Sequence, residues 1–134
     1  MLPFEFVIAG PPVSQQTRRR ARRRAWVEQL RAVVTAQWPA GDPPVTIAVH
    51  VEITHVYPAV SGDLDNLAKP VLDALQGLAY VDDRQVTDLT IRKRDLTRDL
   101  RVEALWPALI SAFNQGGEFL HVVVEEAPDQ RVVA

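Results

Sequence analysis

The apolar and polar positions fall into short segments with two different periods. In PFEFVIA, Phe4, Phe6 and Ile8 alternate with other residues and Pro11-Pro12 closes the segment, which predicts a first strand. Across residues 17–37, Trp26, Val27, Leu30, Val33 and Val34 recur at helical spacing, and Trp38-Pro39, Gly41 and Pro43-Pro44 end the run, predicting a first helix. Residues 45–57, VTIAVHVEITHVY, are rich in β-branched side chains with Val45, Ile47, Val49, Val51 and Ile53 on one face, the pattern of a long strand. Leu64, Leu67, Ala68, Val71, Leu72, Leu75 and Leu78 trace the buried stripe of a second helix, stopped at Gly77. Pro70 fits two arrangements: a helix that begins near Lys69, or an earlier start with a first turn distorted by the missing N–H.

Residues 85–94 predict a third strand through Val86, Leu89 and Ile91, and residues 100–114 a last helix through Trp106, Leu109, Ile110 and Phe113. Gly116-Gly117 then precedes a final strand over 119–125, and the tail from Pro128 is expected to fray. The succession βαβαβαβ, without repeat or interior linker, predicts one domain over residues 1–134. Its class is mixed α/β (α+β), a small, predominantly antiparallel or mixed sheet with two or three helices.

Composition narrows the setting. The chain has 134 residues, about half of them hydrophobic, enough for one core. It lacks cysteine, which removes disulfides and thiolate zinc sites and favours a reducing compartment. No window approaches the ~20 apolar residues of a membrane span, and the N-terminus does not read as a signal peptide, so a soluble intracellular protein is expected. The net charge of −2 conceals an asymmetry, because seven of the fifteen basic residues lie between Arg18 and Arg31.

The chemistry concentrates between Gly62 and Val86. Asp63 and Asp65, two apart in an extended segment, would point to the same side, and Lys69 shares a helical face with Asp65. Asp82 and Asp83 sit in the return after the helix, from which one carboxylate could join the other two. Gathered carboxylates repel unless a cation lies between them, and Mg²⁺ is the hard divalent ion that fits oxygen ligands best. Such a site suits phosphodiester hydrolysis, with the lysine countering charge in the transition state. The same residues admit a structural reading, in which D-x-D caps a helix and Asp-Asp is a solvated turn. Asp73, on the face of Lys69, reads as a surface or paired carboxylate.

Taken in order, Asp63-Leu64-Asp65-Asn66-Leu67-Ala68-Lys69, the apolar PVLDALQGLAYV and then Asp82-Asp83-Arg84-Gln85-Val86 resemble the signature of the RusA family of Holliday-junction resolvases. GPPVSQQ, residues 10–16, is similar to that family's turn after the first strand, although Gln15-Gln16 stands where asparagine is usual. Residues 100–114 look like an inserted helix. The resemblance implies a Mg²⁺-dependent crossover junction endodeoxyribonuclease, with Mn²⁺ as a substitute ion, that acts as a homodimer on four-way DNA junctions in recombination and repair. It further implies a cytoplasmic protein of bacterial, prophage or phage origin. On matching positions it implies Asp63, Asp65 and Asp83 as metal ligands, Lys69 as the catalytic lysine, and Lys93 as a lysine near the site. A less selective branch or flap nuclease and a non-catalytic nucleic-acid-binding protein are the competing functions.

TRRRARRRAW places six arginines, Arg18, Arg19, Arg20, Arg22, Arg23 and Arg24, within seven positions. Clustered guanidiniums repel, and DNA phosphates would neutralise them with salt-sensitive affinity but no sequence preference. His50, His55 and His121 read as structural or surface residues, Trp26, Trp38 and Trp106 as core, and Ser14 has no partner for nucleophilic catalysis.

Overall fold

The computed structural model describes residues 1–13, 20–58 and 62–134. Ser14, Gln15, Gln16, Thr17, Arg18 and Arg19 fall outside the described residues. Four strands, β1 (Phe4–Ala9), β2 (Val49–Tyr57), β3 (Val86–Asp95) and β4 (Phe119–Glu126), and three helices, α1 (Arg20–Gln37), α2 (Leu64–Leu75) and α3 (Pro107–Gln115), follow the expected order. The sheet is mixed and runs β1-β4-β2-β3. β4 is antiparallel to both β1 and β2, whereas β2 and β3 are parallel and joined by α2.

One face of the sheet carries Phe4, Phe6, Ile8, Val49, Val51, Ile53, Leu120, Val122 and Val124, which bury against Trp26, Leu30 and Val34 of α1 and Ala68, Val71, Ala74 and Leu75 of α2. The one-in-four spacing on α1 and the alternation on the strands are the same apolar signal read at two periods. Arg31 fastens the two helices by donating from Nη1 to the carbonyls of Ala74 and Gln76, at 3.3 and 3.1 Å, where a cation meets the negative end of α2.

Element boundaries differ from the expected ones where side chains claim backbone groups. β2 starts at Val49, not at residue 45, because Val45 pairs with the chain at Tyr80 and Gln85 Nε2 bonds the Val45 and Ile47 carbonyls at 2.8 and 2.9 Å. Ile47, expected on the inner face, is exposed. α3 begins at Pro107, later than the expected residue 100, because a proline fits only the first helical turn. α2 takes the early start, with Pro70 inside it and therefore no N–H for the Asn66 carbonyl. Residues 128–134 carry no helix or strand.

The opposite face of the sheet is polar at one end and apolar at the other. Val56, Phe119 and Ala112 pack with Val7, Leu109 and Phe113, the two phenylalanine rings meeting edge-on at 5.2 Å. Beyond them Glu5 accepts a hydrogen bond from the Ala108 backbone N–H and so holds the first turn of α3 to β1. Its other oxygen lies 3.7 Å from Nε2 of His121, which is buried. A cleft of about 540 Å³ beside this helix is lined by charges of both signs, among them Glu52, Arg92, Arg94, Asp99 and Arg101.

Burial holds the His121 pKa below the ordinary 6.5, an effect that outweighs the opposing pull of Glu5. The unfolded chain therefore takes up a proton that the folded chain refuses, and stability falls as pH drops below about 6.5. Denaturant unfolding at a series of pH values should show this loss, and His121→Gln should flatten it; an equally steep slope in the variant would assign the loss to other groups.

Candidate active site

Each acidic residue between Gly62 and Val86 has a distinct local job. Asp63 stands at the N-cap of α2, with φ −68° and ψ 142°, yet its side chain makes no capping hydrogen bond. An aspartate at that position ordinarily spends an oxygen on the first helical N–H groups. Asp65, in the first turn, is exposed. Their common use as a cap is therefore not what this helix shows.

The pair after the helix divides the labour differently. Asp82 caps the single 3-10 turn Asp83–Gln85, accepting from the Arg84 N–H at 2.8 Å, and the hydrogen bonds to Arg84 hold its carboxyl below the usual range. Gln85 completes the capping box: its Oε1 accepts from the N–H groups of Val81 and Asp82, both at 2.9 Å, while its Nε2 reaches back to residues 45 and 47. One side chain thereby uses four bonds to anchor the acidic turn to the entry of β2. Asp83 is left for other uses. Its N–H donates to Gln76 Oε1 at 3.2 Å, and its Oδ1 lies 3.0 Å from the Tyr80 hydroxyl.

Lys69 extends from the polar face of α2, one turn beyond Asp65, and pairs with Asp73 at 2.8 Å. Its pKa is raised by the hydrogen bond and charge of Asp73 and also by the charge of Asp83, so the ammonium persists at neutral pH. Tyr80 feels the same two carboxylates; burial first, then Asp83, raises its pKa and keeps the phenol protonated. Lys69, Asp73, Tyr80 and Asp83 thus share one electrostatic neighbourhood. Asp73 is paired, as its helical position suggests.

Asp63, Asp65 and Asp83 do not place three ligand atoms within 4.8 Å of one another; among the described residues only His50, Glu52 and Glu125 do so. The parallel β2–α2–β3 unit accounts for the separation, since Asp63 and Asp65 stand at the N-cap and first turn of α2 and Asp83 follows the helix, its N–H bonded to Gln76. The donor set nevertheless suits a hard cation. All three groups are carboxylates, two of them exposed, and Mg²⁺ is commonly held by one or two carboxylates with several retained waters.

The histidine cluster is of another kind. His50 and Glu52 alternate with the core residues Val49 and Val51, which puts them on the sheet face away from α2. His50 Nδ1 pairs with Glu125 at 2.9 Å, its Nε2 with Thr90 at 2.8 Å, and Glu52 with Arg92. Each of these side chains thus has a bonded partner. The buried His55 pairs with the half-buried Glu118 at 2.6 Å. Each of the three histidines has a glutamate oxygen within 4 Å.

Of the arginine run, Arg20, Arg22 and Arg24 are exposed on the first turns of α1 and Arg23 is half-buried. Arg18 and Arg19 lie outside the described residues. Lys93 is exposed on β3, an edge strand. Sequence reasoning missed Tyr80 and the structural use of Gln85 and Arg31. The first had a signal, since an aromatic three residues before an acid in a tight return can reach it.

Residues 10–103 match the family model described as endodeoxyribonuclease RusA. The chain belongs to the RusA endodeoxyribonuclease family. No curated protein sequence matches it. The matched span holds α1, β2, α2 and β3 with every acid discussed above between Gly62 and Val86, whereas β1, α3 and β4 lie outside it. No helix among the described residues is long and apolar enough to cross a membrane.

Removing the Gln85 amide should loosen the acidic turn. Gln85→Ala is expected to lower stability by roughly 2 kcal/mol or more, given about 1 kcal/mol for a typical bond and the added cost of unpaired groups. Denaturant unfolding measures this, and a change below about 0.5 kcal/mol would mean that water replaces the amide without loss.

Proposed function

We propose that this chain is a Mg²⁺-dependent, structure-selective endodeoxyribonuclease that resolves four-way DNA junctions in recombination and repair, acting as a two-fold homodimer. The observation that carries the reading is the uneven use of the carboxylates: Asp82 is committed to capping, while Asp63 occupies a cap position without capping and Asp83 lies within the field of Lys69. In this reading Asp63, Asp65 and Asp83 hold the ion, for which Mn²⁺ can substitute. A divalent ion in such a site polarises a phosphoryl oxygen and acidifies a water.

The chain's own residues supply the remainder. Lys69, kept charged by Asp73 and Asp83, presents an ammonium where negative charge develops on phosphorus oxygens. Asp73 restrains that ammonium through its hydrogen bond at 2.8 Å. The arginines of residues 18–24 and Lys93 contact the phosphate backbone, positioning the duplex arms without reading bases. A junction needs two related nicks, and a two-fold pair of chains provides two identical sites.

In Mg²⁺, the protein should nick a synthetic mobile four-way junction in preference to a flap or a linear duplex, and chelator should stop it. Asp65→Asn and Lys69→Ala should each lower the rate about a hundredfold or more. Undiminished cleavage in either variant would remove that residue from the chemistry, and equal cutting of flap and junction would indicate a broader branch nuclease. Binding of the junction without any nicking in Mg²⁺ or Mn²⁺ would leave a nucleic-acid-binding protein.

Arginine pairing with phosphates predicts a salt signature. Arg22→Ala with Arg24→Ala should weaken junction binding in Ca²⁺ and reduce the slope of log K against log salt by about 0.9 for each phosphate that is no longer neutralised. An unchanged slope in a fluorescence-anisotropy titration would show that α1 faces away from the DNA.

A further inference from the structure

Tyr80 is a fully buried side chain whose only polar atom faces the acidic turn. Its hydroxyl has one proton and two acceptors in range, the Leu72 carbonyl at 3.1 Å and Asp83 Oδ1 at 3.0 Å. The Leu72 carbonyl already accepts from the Gln76 N–H at 3.1 Å. A carboxylate is also the stronger acceptor. The proton therefore belongs on the Asp83 side. We propose that Tyr80 is a positioning residue for metal binding: its hydroxyl, fixed against the last turn of α2, sets the rotamer of Asp83 and so ties the third carboxylate to the helix that bears Asp65 and Lys69.

The inference rests on the reading of Asp83 as a metal ligand and deepens it. Three features favour positioning over simple core filling. A phenylalanine would fill the same volume, so the hydroxyl has no packing role. The turn is held independently by Gln85, so the bond to Asp83 is not needed to close it. Gln76 Oε1 meanwhile fixes the Asp83 N–H, so backbone and side chain of this one residue are both secured from the α2 side while its second carboxylate oxygen stays available. Partners that orient a metal-binding carboxylate commonly change metal affinity by 10–100-fold when removed.

The test uses the full chain and Mn²⁺ as the probe, with free Mn²⁺ counted by electron paramagnetic resonance, alongside the Mg²⁺ concentration for half-maximal nicking of a four-way junction. Tyr80→Phe should keep the fold by circular dichroism, weaken Mn²⁺ binding roughly tenfold and raise the Mg²⁺ midpoint in parallel. In an Asp83→Asn background the same substitution should add nothing, because its effect passes through Asp83. Full-strength Mn²⁺ binding by Tyr80→Phe, in a protein where Asp83→Asn weakens it, would overturn the positioning role and leave the metal site standing. Mn²⁺ binding indifferent to Asp83→Asn would overturn the metal role of Asp83 and this inference with it. Should Tyr80→Phe fail to fold, the native chain still decides: Tyr80 ring resonances should shift on Mg²⁺ addition and stop doing so in Asp83→Asn, and a shift that persists in the variant counts against the proposal.

Discussion

The apolar stripe of α2 is the constraint on which the site depends. Ala68, Val71, Ala74 and Leu75 lock one side of this helix to the sheet and to α1, which leaves Asp65, Lys69 and Asp73 no choice but the outer side. Rotating the helix to bury any of them would place an ionised group in an apolar core, at a cost far above that of losing a surface pair. The orientation of the chemistry is therefore set by hydrophobic packing. The acidic turn that follows is then brought alongside this outer face by a second set of forces, the directional bonds of Gln85, Gln76 and Tyr80. Packing decides the side, and hydrogen bonding decides the position along it.

Strand and helix order are legible in the sequence because each element has an apolar face at its own period. The mixed sheet and three helices expected from that pattern are present. What is not legible is set by partners distant in sequence. The entry of β2 is shortened because a glutamine some forty residues later takes the carbonyls of Val45 and Ile47. The start of α2 stays open in sequence because a proline weighs against the early one locally, while burial of Leu67 and Ala68 wins once the core forms. For the candidate site, spacing marks the acids only as candidates that a capping or solvated-turn reading fits as well, whereas the division between Asp82 as cap and Asp83 as spare carboxylate depends on where the Arg84 N–H and the Tyr80 hydroxyl point. The seven basic residues between Arg18 and Arg31 look alike in sequence, and burial separates Arg31, used to hold α2, from the exposed Arg20, Arg22 and Arg24.

The part of the chain outside the family match is not peripheral to the fold. β4 lies between β1 and β2, so β1 joins the sheet only through it. Its residues Val122, Val123 and Val124 are buried in succession, one face against the helices and the other beneath the polar layer of Glu5, Glu52 and His121. α3 covers part of this second face and is held there by the bond between Glu5 and its first turn. The cleft beside it is lined by charges of both signs, and the two glutamates there, Glu52 and Glu103, pair with Arg92 and Arg101. Such a cleft presents no single-sign surface to a polyanion.

That contrast bears on where DNA chemistry can occur. On the polar face of the sheet, His50 bonds Glu125 and Thr90 and Glu52 pairs with Arg92, so bringing a phosphate to these groups would require breaking partners that the fold has already satisfied. On the outer face of α2 the balance is different: four acids, Asp63, Asp65, Asp73 and Asp83, stand along or beside the helix with one lysine among them, and that lysine is bonded to Asp73. The residual charge there is negative, which repels a phosphodiester as it stands. A divalent cation held there, as in the proposed function, would reverse that local sign and let the same surface receive an anion, whereas Lys69 is already bonded to Asp73. On the proposed reading, the negative charge of this face is the electrostatic reason that a divalent ion would be needed before any phosphodiester could approach.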